Sequence, residues 1–212
     1  MKRLFILSLV SVFAISSFAQ GSTQKFPTIE IGSDIPMADE ALKDVSGDML
    51  SLTDVKGENG LLVMFSCNTC PFVIGSGSSN EGWEGRYQEI YEWCNENGIG
   101  FTMINSNEAK RDLGDSFDDM VAHSEEMGWD CHYMLDPDSK MANAFGGKTT
   151  PHAFLFNGES KLVYSGSIDD SPKSASAVAE PYLKNALGSL VSGEEISPAT
   201  TTPVGCSIKR VM

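Results

Sequence analysis

The chain has 212 residues, 41% hydrophobic and 21% charged, which suits one globular domain with its own core and leaves no room for two large ones. A net charge of −14 argues against a basic face for a nucleic-acid backbone and disfavours docking on an anionic membrane. Collagen-like, coiled-coil and fully disordered chains are excluded by the same composition.

Lys2 and Arg3 precede an apolar run over residues 4–19, in which Ser17 and Ala19 are spaced as the small residues of a cleavage site. This predicts a secretory leader, residues 1–19, cut after Ala19. The serine-broken run falls short of the about 20 apolar residues a membrane span needs. The expected product is secreted, periplasmic or extracellular, and meets the membrane only through the secretion machinery. Its five cysteines would then work where disulfides persist, and an odd count leaves at least one unpaired within a monomer.

Residues 20–27 read as a disordered lead-in and residues 28–192 as the domain. Val45-Ser46-Gly47-Asp48 is a turn, with Met49–Leu52 the strand returning from it, so an N-terminal hairpin is expected. Another turn, Gly57–Gly60, leads into Leu61–Phe65, an unbroken apolar run typical of a strand buried on both faces. Next come Cys67-Asn68-Thr69-Cys70-Pro71 and a Gly/Ser-rich piece from Gly75 to Ser79 that interrupts any helix started by Pro71. The spacing of Trp83, Tyr87, Ile90, Tyr91 and Cys94 predicts a helix over 81–97. Residues 99–104 read as a second core strand, and Asp115 or Ser116 as the cap of a helix to about Gly128. Tyr133–Leu135 is a short strand, and 138–145 a short helix stopped by Gly146-Gly147. Ala153–Phe156, the Asn157-Gly158 turn and Lys161–Ser165 form a hairpin. Residues 173–191 are the last helix, and 193–212 a Pro/Thr-rich tail carrying Cys206. Parallel βα units followed by an antiparallel pair give a small mixed sheet with helices on both faces.

The chemistry sits where the first core strand meets its helix. Cys67 and Cys70 form a CxxC there, and a thiolate at a helix start is stabilised by unpaired backbone N–H groups. A second thiol close by can close a disulfide and release a bound partner. Two other readings of a CxxC are half of a zinc site and a structural disulfide. A zinc site needs a second ligand pair, and Cys131, Cys206 and the three His are scattered along the chain, so no metal and no other cofactor is expected.

On these residues the chain resembles the thioredoxin-like superfamily, on its redoxin side, which includes thiol-disulfide reductases and the alkyl hydroperoxide reductase/thiol-specific antioxidant proteins. The resemblance rests on Leu61–Phe65 followed by the Cys motif, on Thr150-Pro151 before a strand, and on the hairpin and last helix; it spans about residues 28–192. It implies a three-layer α/β/α fold with a mixed central sheet, here with the N-terminal hairpin as an extension. It also implies a cis Thr150-Pro151 peptide beside the active sulfur, with Thr150, Pro151 and Pro71 shaping the groove for a partner's backbone. Counting from Phe65 in the reductase pattern, or back from Pro71 in the peroxiredoxin pattern, makes Cys70 the attacking sulfur. The reductase resolving position falls on Val73, so Cys67 becomes the resolving partner from the N-terminal side. An ordinary CxxC would instead make Cys67 the nucleophile. The implied partners are protein or small-molecule disulfides and a thiol reductant. Peroxides are the alternative substrate, and a redox-inactive binding domain is a third reading. Against the peroxidase stand Cys67 at the pattern's Thr position and arginines, Arg86, Arg111 and Arg210, that lie outside residues 150–165. The ending Gly205-Cys206-Ser207-Ile208-Lys209 also resembles a peroxiredoxin-like subgroup.

Several other residues invite a reading. Cys94 lies on an apolar helical stripe and is expected to be buried and inert, and Cys131 reads as core or as a tail partner. Cys206 reads equally as a mobile resolving or cross-linking thiol and as a docked structural one. His152 could lie near the sulfur as donor or base, or face solvent at a strand end. Asp112, Asp115, Asp118 and Asp119 read as a solvated helix start, since they lack the spacing of a calcium loop.

Overall fold

A computed structural model describes residues 26–211; the expected leader and residues 20–25 of the lead-in lie outside the described residues. Within them, a seven-stranded mixed sheet runs through the middle of the molecule. Its first two strands, β1 (Leu42–Asp44) and β2 (Met49–Leu50), form the expected N-terminal hairpin. The second is shorter than the sequence suggests. Ser51 caps α1 (Leu52–Val55) instead, its hydroxyl accepting the Asp54 N–H while the Asp54 carboxylate accepts the Ser51 N–H.

The centre of the sheet is β3 (Gly60–Ser66), every residue of which is buried. It pairs in parallel with β4 (Ile99–Asn105), and β4 in parallel with β5 (His132–Leu135). On its other side β3 pairs antiparallel with β7 (His152–Asn157), which turns at Asn157-Gly158 into β8 (Leu162–Gly166). The sheet order is therefore β2-β1-β5-β4-β3-β7-β8. A separate two-stranded pairing joins β6 (Thr149–Thr150) to β9 (Cys206–Ser207).

Alternation along the strands separates two cores. Leu62, Met64, Phe101, Met103, Ala153 and Leu155 face one layer, covered by α3 (Tyr87–Glu96), α4 (Phe117–Met127) and α6 (Tyr182–Ser192). Leu61, Val63, Phe65, Ile104, Phe154 and Phe156 face the other, covered by α1 and α5 (Lys140–Phe145). Phe65, Phe145 and Phe154 meet there edge to face, with centroids 5.2–5.7 Å apart. The expected three-layer α/β/α arrangement is thus present, with helices on both faces.

Three helix boundaries move. Residues 81–83 are not helical: a 3-10 turn over Glu84–Arg86 precedes α3, and Trp83 is fully buried from the loop. The last helix begins at Tyr182 rather than residue 173, because Pro181 stands at its N-cap and residues 173–181 form a loop with one 3-10 turn. Asp138 and Ser139 have positive φ, so the helix expected over 138–145 starts at Lys140. The tail is docked, with Ile208 buried in the second core.

Candidate active site

Cys67 follows the last residue of β3, at the carboxyl ends of the parallel strands, where the sheet order turns to β4 on one side and β7 on the other. Both cysteines are buried there, Cys67 at 1% and Cys70 at 2% exposure. Cys70 stands at the N-cap of α2 (Pro71–Ile74), its carbonyl accepting the Val73 and Ile74 N–H groups. Exposed Pro71 supplies the first helical position, and Gly75, with φ 82°, ends the helix after one turn. A single turn carries little dipole, so a stabilised thiolate needs other donors.

Those donors come from three segments. The Thr150–Pro151 peptide is cis, and Thr150 is fully buried against both thiols. Its hydroxyl lies 3.2 Å from Cys67 Sγ, and its carbonyl 3.2 Å from Cys70 Sγ. Cys67, and Cys206 standing opposite Thr150 in the β6–β9 pair, both favour the ionised form of Cys70. Together these contacts push the Cys70 thiol down to about 5, Cys67 contributing most, against the opposing effect of burial. One contact works the other way: the Thr150 carbonyl accepts the S–H of a neutral Cys70 and repels a thiolate. Cys67 moves oppositely. Its hydrogen bond to Cys70 holds its proton, and burial and the Asp115 charge add to this, so its thiol lies well above the usual range.

Asp115 is the residue the sequence reading misplaced. It is fully buried, not part of a solvated helix start. Its carboxylate accepts the Asn68 N–H at 2.8 Å and the Thr69 hydroxyl at 2.7 Å, the two residues between the cysteines. Asn105 and Asn107 side-chain amides complete its shell at 2.8 and 3.2 Å. The cap itself belongs to Ser116, through a capping box with Asp119. Gly114 lets Asp115 turn inward. Its φ is 102°, and a Cβ there would sit 2.9 Å from the Thr69 methyl. A lone Gly before Asp-Ser was the available signal. The buried Tyr133 hydroxyl, donating to Asn68 Oδ1 at 2.9 Å, braces the same loop.

His152 fits neither expectation. It is buried, and its ring is turned away from the thiols, Nδ1 accepting the Lys148 N–H and Nε2 lying 3.2 Å from Ser165 Oγ. Burial pushes it down to about 3, so it is neutral and no base. Burial raises the Cys94 and Cys131 thiols to about 12, and both lie in the first core. Arg86 pairs with Asp169, and Arg111 reaches the carbonyls of Asn105, Asp115 and Asp136. Arg210 reaches Asn143 Oδ1 and the Gly147 carbonyl. Among the described residues no three His, Cys, Asp or Glu side chains converge on a point where a metal would sit. Also among them, no helix is long and apolar enough to cross a membrane.

No family model and no curated sequence matches the chain. Solved structures do. An uncharacterized conserved protein from Geobacillus kaustophilus superposes with a TM-score of 0.77 at 29% identity, over 88% of this chain and 95% of its own. A hypothetical protein from Sinorhizobium meliloti 1021 gives 0.76 at 27%, over 88% and 97%. A thioredoxin-like protein in its oxidised form gives 0.55 at 13%, over 79% and 100%, a likeness of fold alone.

Proposed function

We propose that this chain, whose fold is that of the thioredoxin-like redoxin superfamily, is a thiol-disulfide oxidoreductase in which Cys70 attacks and Cys67 resolves. The observation that carries the reading is that Cys67 and Cys70, at the carboxyl end of the central strand, lie 3.2 Å from the hydroxyl and the carbonyl of Thr150, the residue before the cis proline. A thiolate there attacks one sulfur of a protein or small-molecule disulfide, forms a mixed disulfide and expels the other sulfur as a thiolate. Cys67 then attacks Cys70 Sγ, gives up its proton to the departing group and closes the Cys67–Cys70 disulfide. The substrate gains two electrons, and an external thiol reductant returns them. Asp115 holds the loop between the cysteines, so it is a positioning residue. The arginines are engaged with carboxylates, carbonyls and Asn143, which favours disulfides over peroxides as substrates. Removal of residues 1–19 would place the centre outside the cytosol.

The test runs insulin reduction and hydrogen peroxide consumption side by side, on the protein and on Cys70→Ser. Disulfide reduction that disappears in Cys70→Ser is expected. Peroxide turnover that outpaces it would make the chain a peroxidase. Absence of both, with no exchange against glutathione, would leave a binding domain.

A further inference from the structure

The tail is laid along Thr149–Thr150, at the end of the sheet that carries the cysteines. Cys206 stands directly opposite Thr150 in the β6–β9 pair, and Ser207 opposite Thr149. Gly205 passes so close to the cis peptide that a Cβ on it would lie 2.2 Å from the Thr150 carbonyl oxygen. Beyond Cys206, the Ile208 N–H donates to Lys148 O, and Ile208 itself is buried. Lys209 donates its N–H to Asn107 Oδ1 and accepts that of Ala109. The chain is thus anchored next to Cys206, whose thiol stays partly exposed opposite Thr150, the residue whose carbonyl lies 3.2 Å from Cys70 Sγ.

The two thiols that flank Cys70 differ in what surrounds them. Cys67 is sealed inside, beside the buried Asp115 carboxylate. Cys206 is partly exposed; burial and the neighbouring Cys70 push its thiol up to about 11, and the Lys209 ammonium works against that rise. Both hold their protons while Cys70 carries the charge. Once Cys70 is bound to a substrate sulfur that charge is gone, and Cys206 is the better placed to ionise.

Resting on the reading that Cys70 attacks, we propose that Cys206 is a third catalytic thiol, which clears the mixed disulfide at Cys70 before Cys67 does. The Cys206 thiolate attacks Cys70 Sγ, the bond from Cys70 to the substrate sulfur breaks, and the substrate leaves as a thiol with the proton Cys206 gave up. Cys67 then attacks Cys70 Sγ, breaks the Cys70–Cys206 bond and passes its proton to Cys206. The product is a Cys67–Cys70 disulfide and a reduced tail, with two electrons transferred in all. The tail occupies the edge that a polypeptide substrate would pair with, so the same step couples substrate release to tail docking.

The experiment uses Cys67→Ser and Cys67→Ser/Cys206→Ser in the full chain, with hydroxyethyl disulfide as the probe. Samples are quenched by alkylation at intervals and mapped by mass spectrometry. Trypsin places Cys67 and Cys70 in the fragment 57–86 and Cys206 in 185–209. In Cys67→Ser a cross-link between these fragments is expected, with loss of the mercaptoethanol adduct on Cys70; in the double variant the adduct persists. An adduct that persists equally in both, without the cross-link, overturns the proposal. The unaltered chain gives a check that needs no variant: a Cys70–Cys206 cross-link should rise before the disulfide internal to 57–86. Direct formation of the internal disulfide, with no cross-link at any time, also overturns it. Absence of any Cys70 adduct in the double variant defeats the underlying reading instead.

Discussion

At the scale of single residues, the centre is a matter of who donates to whom. Cys70 is favoured as a thiolate by its neighbours Cys67, Cys206 and Thr150, more than by a one-turn helix. A pH titration of ultraviolet thiolate absorbance should therefore show a step near pH 5 that Cys70→Ser removes. Cys67→Ala, which deletes the largest of these influences, should move that step upward; an unmoved step would leave Cys206 and Thr150 as its source. Asp115 serves the same loop differently. Asp115→Asn turns an amide N–H₂ toward groups that are themselves donors, leaving one buried donor unmade at a cost of about 1–3 kcal/mol. It also removes a charge that raises the Cys67 thiol, so the Cys67 titration should shift down. Chemical denaturation and titration of the same variant check both outcomes, and a shift in stability alone would make Asp115 purely structural.

Among the elements, the pairing of β9 with β6 decides how open the centre is. Gly205→Ala places a methyl group 2.2 Å from the Thr150 carbonyl, with backbone on the other side, so one strand must move. The strain is worth about 1–3 kcal/mol and falls on a two-residue pairing, which gives way more readily than the seven-stranded sheet. Hydrogen exchange should rise over 205–210 while β3 and β4 stay protected, and alkylation of Cys70 should speed up as the tail lifts. Equal protection of the tail in the variant would show that Ile208 and Arg210 hold it without the pairing.

Across the whole molecule, the buried neutral His152 ties stability to pH. Unfolded, its imidazole takes a proton below about pH 6.5. Folded, it does so only near 3. The unfolded state thus binds the extra proton in that window, so this contribution is complete above pH 6.5 and is lost as pH falls toward 3. The loss is on the order of 3–5 kcal/mol when the window is crossed in full. Urea unfolding at steps from pH 7 to 4 should show it. His152→Gln, with no proton to gain, should flatten that part of the profile relative to the unaltered chain. An identical pH slope in the variant would assign the loss to carboxylates alone.

The succession of strands and helices, and the CxxC at the end of a buried strand, are legible in the sequence because each depends on neighbours along the chain. Leu61–Phe65 is apolar at every position, and only a strand covered on both faces buries all of it. The helix starts at Tyr87 and Tyr182 were less legible, since Trp83 is buried from a loop and mimics helical spacing. Two features of the centre belong to the tertiary structure alone. Asp115 reads like its acidic neighbours until the donors of Asn68, Thr69, Asn105 and Asn107 close around it, and those come from separate loops. Cys206 stays one thiol in a polar tail until β9 meets Thr150 across the sheet end. Periodicity and turn chemistry act over a few residues. Contacts between distant segments are set by packing, and packing is what brings the third sulfur to Cys70.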